Sequence, residues 1–455
     1  MLVVLSDLHF SEAQSTQIGP YRFNRNLTPE TYQAYFSEVN QFAKSNRVNH
    51  VDLVLAGDIL EISRSSLWLE GEHRPYTNNE EILPGSEIEQ TILDILHTIA
   101  QEERVSETLE LFRNLQDQFE MSVRLHLILG NHDRLANATP KIREEVRRMF
   151  GLEDGSTDLD YYLIFKDNQG KPFCLVRHGH EYDATNFPMD VDEMESIPPD
   201  IPKSAYDKAS LGDITTIEYG AALPWLFVKI HGEEAILNDP TLLAVYQRLM
   251  EFDDVRPTTA WLAYLFSTPG VRRRDTWRLV KPAFSEIVNT LLTHRQFIST
   301  LKQSAAMSGF VRVILTTALK SRIFRNGIPY WLVKILMKIV SRSIRVKSQA
   351  MWAKKESIIY DAQANCRCVI SGHSHFAEVA LISAEEHDER YYINSGTWRN
   401  VILATKNYEN FGRLRALTKV MVFYPSEKDP IDDDRDWAFH YLSGVSFGDH
   451  RLLLS

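Results

Sequence analysis

Cysteine is scarce: Cys174, Cys366 and Cys368 are the only three in 455 residues. Three thiols build no disulfide framework, and two of them sit in apolar runs, where they read as small core residues. No charge-free apolar stretch reaches the length of a membrane span. The first apolar run begins at Leu2 with no basic region before it, so no cleavable leader is expected. Internal repeats and low-complexity tracts are missing as well. What remains is the expectation of a globular protein in a reducing, cytoplasmic compartment, in keeping with a hydrophobic fraction of 44% and a charged fraction of 24%. The length exceeds one ordinary core, so two domains or one domain with a large insertion are expected.

Net positive charge is lacking too: the chain carries −11, which argues against nucleic acid as a partner. The balance is uneven. Residues 271–355 hold 18 Lys and Arg against Asp275 and Glu286, a local charge of +16 that leaves −27 on the rest.

Five short apolar runs are present, and each ends in residues able to bind metal. Leu2-Val3-Val4-Leu5 leads to Asp7 and His9, and residues 51–56 lead to Gly57-Asp58. Residues 125–129 lead to Gly130-Asn131-His132-Asp133 and residues 173–176 to His178-Gly179-His180. Residues 368–370 lead to Gly372-His373-Ser374-His375. Short apolar runs bounded by turn residues read as buried strands. Open sheets covered by helices place their sites outside the carboxyl ends of the strands. Ligand types at five such ends, far apart in sequence, imply one shared mouth.

Helical signals alternate with these runs. Thr28-Pro29 opens a helix carrying Tyr32, Tyr35, Phe36, Val39 and Phe42 at helical spacing, a second covers about 87–115, and Thr139-Pro140 opens a third that ends near Phe150. The alternation predicts an α/β sheet. After Asp183 it breaks: Pro188, Pro198, Pro199 and Pro202 interrupt an acidic stretch that reads as an exposed linker. From there to about Glu356 the signals are mostly helical. The expected organisation is a catalytic domain of residues 1–185 and 357–455, with a helical, basic insertion over 186–356.

The ordered set D-x-H, G-D, G-N-H-D, H-G-H and G-H-S-H resembles the calcineurin-like metallophosphoesterase superfamily, over roughly residues 1–185 and 357–455. The resemblance implies an α/β fold of the αββα sandwich type, with the insertion as a cap, and a pair of divalent ions about 3.5–4 Å apart. It implies Asp58 as the bridging ligand, Asp7, His9 and His375 on one ion, and Asn131, His178 and His373 on the other. It favours His178 over His180 as the ligand from H-G-H; His180 then sits behind the ligands or faces substrate, and Asp183 is a candidate to hold it. It also implies His132 as the catalytic histidine, oriented by Asp133; a histidine merely supporting the turn is the alternative. Histidine and carboxylate ligands suit manganese, iron or zinc, and the lack of cysteine in every cluster argues against structural zinc. The run Gly57-Asp58-Ile59-Leu60-Glu61 is similar to the G-D-x-x-E of UDP-diacylglucosamine pyrophosphatases, which are shorter and usually carry arginine where this chain has His132.

The expected function is hydrolysis of a phosphodiester or pyrophosphate bond in a small-molecule or lipid-linked substrate. A nuclease of the repair type is the rival enzyme, and a non-catalytic scaffold the third reading. Lys334, Lys338, Arg342 and Arg345 recur along one helical stripe within residues 329–346. That stripe suits peripheral contact with an anionic membrane, nucleic-acid phosphates, or simply solvent beside a packed face. Arg272, Arg273, Arg274 and Arg278 form a second cluster that could approach substrate phosphates at the metal mouth.

Overall fold

Alternation along the strand Leu2–Leu5 decides which layer each side chain joins. Leu2 and Val4 pack with Val54, Ala56 and Ile128 against Phe173, Cys174, Val176, Cys368, Ile370 and Ile393. Val3 and Leu5 face the other way, into a core shared with Tyr32, Tyr35, Phe36 and Val39 of the helix Pro29–Ser45. All four strand residues are therefore buried, and the strand is a continuous apolar run because both faces are covered.

The computed structural model describes residues 1–23, 25–293, 330, 348–361, 363–385, 388–415, 417–427 and 437–443. These form a mixed α/β molecule with two five-stranded sheets packed face to face. The first sheet runs Phe439–Leu442, Lys419–Val422, Leu2–Leu5, His50–Ala56, Ser122–Ile128, the last three parallel. The second runs Ala377–Glu385, Asp388–Ser395, Cys368–Ser371, Pro172–Arg177, Tyr162–Lys166, with its central three parallel. All five ligand-bearing runs lie in these parallel sets, so their carboxyl ends open at one edge of the sandwich.

The helices start where the sequence signals them. Thr139 accepts the Ile142 amide to open Pro140–Phe150, and Gly151, at φ +66°, closes it in the left-handed conformation. The stretch expected as one helix over 87–115 is two, Glu87–Gln101 and Glu103–Arg113. Glu102 separates them: its carboxylate accepts the Val105 amide at 3.0 Å and restarts the chain as an N-cap.

The inserted segment departs from expectation twice. It is not wholly helical, because Val255–Arg256 pairs in parallel with Asn400–Ala404 and so joins a third, three-stranded sheet. Nor is its acidic start an exposed linker. Phe187, Val191, Ile197 and Ile201 are buried, and Ile197 bridges to Glu356. Apolar residues every few positions there outweigh the proline and aspartate turn signals. Its helices Ala222–His231 and Pro240–Met250 bury Phe227 and Leu249 in the same core as Tyr32 and Phe36. Among the described residues no helix is long and apolar enough to cross a membrane. The basic stripe Lys334, Lys338, Arg342 and Arg345 lies outside the described residues.

Candidate metal centre

Each ligand-type residue follows a strand by a few positions, and the backbone at five of them is unusual. Asp7, His9, Asp58, His373 and His375 all have φ between +51° and +63°. Left-handed backbone at a residue other than glycine costs about 1–2 kcal/mol, and such strain persists only where surrounding contacts impose it. Here the Asp7 amide donates to the Gly57 carbonyl at 3.0 Å and the His9 amide to the Asp58 carbonyl at 2.9 Å, which clamps the first two turns together.

Three groups of side chains result among the described residues: one is His9, Glu61 and His132, and the other two hold the expected ligands. The ligand atoms of Asp7, His9 and His375 lie within 4.8 Å of one another, as do those of Asp58, His178 and His373. Asp58 joins them. Its Oδ2 is 3.1 Å from His178 Nε2 and 4.0 Å from His9 Nε2, while Oδ1 accepts the His132 amide at 2.8 Å. One carboxylate oxygen thus faces histidines of both groups, which is where a ligand shared by two ions has to lie.

Outer contacts set the histidine tautomers. His9 Nδ1 meets Glu61 Oε1, His178 Nδ1 donates to the Ala56 carbonyl at 2.9 Å, and His373 Nε2 is 3.2 Å from Asp183 Oδ2. Carboxylates and carbonyls only accept, so in each ring the opposite nitrogen presents its lone pair to the cluster. His178 Nε2 therefore faces an anionic oxygen, and two acceptors at 3.1 Å need a cation or a proton between them. Burial lowers the His178 pKa, but the Asp58 charge outweighs it and lifts the group to about 10. Asn131 Oδ1 is buried beside the cluster with no hydrogen-bond partner. Orphaned buried acceptors are rare, and a divalent ion would satisfy both. The residues present fit the two ions that the resemblance implies.

His132 stands beside this cluster. Its Nδ1 is 3.2 Å from Glu61 Oε1, and its ring meets His9 edge-on at 5.0 Å. Burial lowers its pKa, while Glu61 and Asp58 raise it by more, to about 10, so the ring carries its proton at neutral pH. Asp133 does not orient it, contrary to the sequence expectation. Both Asp133 oxygens are taken by amides, those of Ile59 and Gly130 at 3.1 Å and that of Leu60 at 2.6 Å. A one-residue offset along a turn points adjacent side chains apart, so Asp133 braces the Asp58 loop. The group against His132 is Glu61, to which the sequence reading assigned no role. Its only signal was the G-D-x-x-E spacing.

His180 lies beside His178, their ring centroids 5.4 Å apart, and belongs to none of the ligand groups. It packs against the rings of Phe187 and Tyr206 at 5.3 and 5.7 Å, and burial lowers its pKa to about 4. Asp183, expected to hold it, holds His373. Arg272, Arg274 and Arg278 line a separate cavity with Trp277 and Tyr330, and neither they nor Arg273 line the one at the cluster. The expectation that these arginines reach the metal mouth is not met.

The cluster opens into a cavity of about 700 Å³, a size suited to a small organic ligand. His9, Asp58, Asn131, His132, His373 and His375 form its floor, and Phe252, Trp261 and Trp352 of the inserted segment contribute aromatic wall.

Glycine is required where the turns meet. A Cβ on Gly130 would overlap the Asp58 carboxylate, and one on Gly372 would overlap that of Asp7. Gly372→Ala is expected to weaken manganese binding about 10–100-fold, as losses just outside a metal's ligands do. Calorimetric titration with manganese reads this directly, and unchanged affinity would remove Asp7 from the ligand set.

No protein-family model matches the chain, and no curated protein matches it.

Proposed function

We propose that this chain is a two-metal phosphoesterase of the calcineurin-like type, hydrolysing a phosphodiester or pyrophosphate bond of a small-molecule or lipid-linked substrate. The observation that carries the reading is the Asp58 oxygen set between two histidine groups, with His132 beside it. The pair of face-to-face sheets, with ligands at the carboxyl ends of parallel strands, supports the αββα sandwich expected of that family.

Asp7, His9 and His375 would hold one divalent ion, Asn131, His178 and His373 the other, and Asp58 both. Manganese suits this mixture of imidazole, carboxylate and amide oxygen, with iron or zinc as the other candidates. Such a pair, when bound, polarises a phosphoryl oxygen and supplies a nucleophile from water near neutral pH. The protein's own part is positional and electrostatic. Glu61 holds His132 by Nδ1, leaving Nε2 to donate to the developing charge or to protonate the leaving oxygen. Phe252, Trp261 and Trp352 of the inserted segment offer aromatic surface to the organic part of a substrate.

The nuclease reading has less support. Asp183, Asp190 and Asp192 line the same cavity, and carboxylates there repel a polyanion. Of the basic segment that permits that reading, the described residues Arg272, Arg274 and Arg278 line another cavity. A substrate panel with manganese separates the readings: a generic diester, a monoester, a nucleotide-sugar pyrophosphate and single-stranded DNA. Hydrolysis of the diester or pyrophosphate, lost on chelation and restored by manganese, is expected. Turnover of DNA alone would favour the nuclease, and silence across the panel the scaffold.

A further inference from the structure

Among the described residues, Arg256 is the one residue of the inserted segment that touches a ligand-type side chain of the cluster through a cationic group. It closes the short strand Val255–Arg256, and its Nη1 donates to the Asp253 and Val255 carbonyls. Its Nη2 lies 2.6 Å from His375 Nδ1. The guanidinium forms no ion pair among the described residues. Asp253 and Asp254, whose charges reach it, are bound by Arg25, Arg64 and Arg399 instead. A half-buried guanidinium on a cavity wall, with two carbonyls and a ring nitrogen as its hydrogen-bond partners, binds no carboxylate directly among the described residues.

The contact with His375 also runs against the other three histidines. A guanidinium can only donate, so Nδ1 of His375 is the acceptor and Nε2 carries the hydrogen, 3.2 Å from Asp7 Oδ1. To ligate an ion through Nε2 the ring must move that hydrogen to Nδ1, and two donors would then face each other. Arg256 and an ion at Asp7, His9 and His375 therefore compete for the tautomer of one ring.

We propose that Arg256 is the substrate's phosphate grip: when the cluster fills, its guanidinium leaves His375 and binds the anionic non-bridging oxygens of the phosphoryl group at the metals. This rests on the phosphoesterase reading and adds the residue by which the inserted segment recognises substrate. The ligand class is a phosphoryl anion attached to an organic group, because Phe252 and Trp261 border the same wall. Planar N–H pairs match phosphate oxygens two at a time, which an ammonium does not.

The test compares wild type, Arg256→Met and Arg256→Lys, each titrated with manganese and then, when loaded, with inorganic phosphate by calorimetry. Turnover of a chromogenic phosphodiester is measured alongside. Arg256→Met is expected to bind phosphate about 10–100-fold more weakly, the scale of a lost charge-assisted bond. Its KM should rise, and its manganese affinity should be equal or tighter because the competitor for His375 is gone. Arg256→Lys should fall between the two and carries the test if the methionine variant does not fold. Unchanged phosphate affinity in either folded variant overturns the assignment. So does parallel loss of manganese, which would make Arg256 a prop for His375. If the wild type hydrolyses the diester and these variants match it, the arginine assignment alone fails. If the wild type neither binds phosphate nor turns over diester with manganese, the phosphoesterase reading has failed.

Discussion

Asp58→Asn is expected to lower turnover by several orders of magnitude and to reduce bound manganese below two per chain. The reason is local. Oδ2 of Asp58 faces His178 and His9 together, so it serves both groups, and an amide offers there either a neutral oxygen or an NH₂ that repels cations. The fold should survive, because an amide oxygen in the Oδ1 position still accepts the His132 amide. Metal content and turnover are to be measured on the same preparation. A variant that keeps two manganese ions and near-normal turnover would show that the shared ligand lies elsewhere.

His132→Ala should separate chemistry from metal binding. Turnover is expected to fall about 10²–10⁴-fold, the usual worth of a positioned acid, with both ions retained. The pH profile gives a second reading. Glu61 and Asp58 lift the His132 pKa to about 10 against burial, so its proton is present below that pH and lost above it. Bound cations oppose the lift, which moves the alkaline limb of kcat downward from that value. That limb should vanish in His132→Ala. Loss of manganese from the variant would place the residue among the supports of the turn instead. Glu61→Gln should behave differently from both, since Glu61 also touches His9: turnover falls and one ion weakens. The double variant His132→Ala/Glu61→Gln is expected to lose much less than the product of the single effects, as coupled neighbours do.

Much of the site is legible in the chain because ligand residues sit within a few positions of a strand end. Leu2–Leu5 and Asp7, or Cys368–Ser371 and His373, are joined by covalent geometry, and the apolar run predicts both the strand and where its end lies. Periodicity likewise places the helix Pro29–Ser45. It misjudges the segment after Asp183, where prolines and acids signal exposure but Phe187, Val191 and Ile197 find apolar neighbours. Burial there depends on distant partners that local pattern does not contain.

The sequence by itself determined the inventory: which side chains able to bind metal exist, which strand ends carry them, and that they are too widely spaced to meet except by folding. Tertiary structure decided how they are used. Glu61 reaches His9 across 52 positions, Arg256 reaches His375 across 119, and Asp183 reaches His373 across 190. It also chose Glu61 over Asp133 as the neighbour of His132, and His178 over His180 as the histidine facing Asp58. A hydrogen bond acts over about 3 Å and depends on which ring nitrogen meets which oxygen. Those distances come from the packing of two sheets and an inserted segment, and spacing along the chain does not encode them.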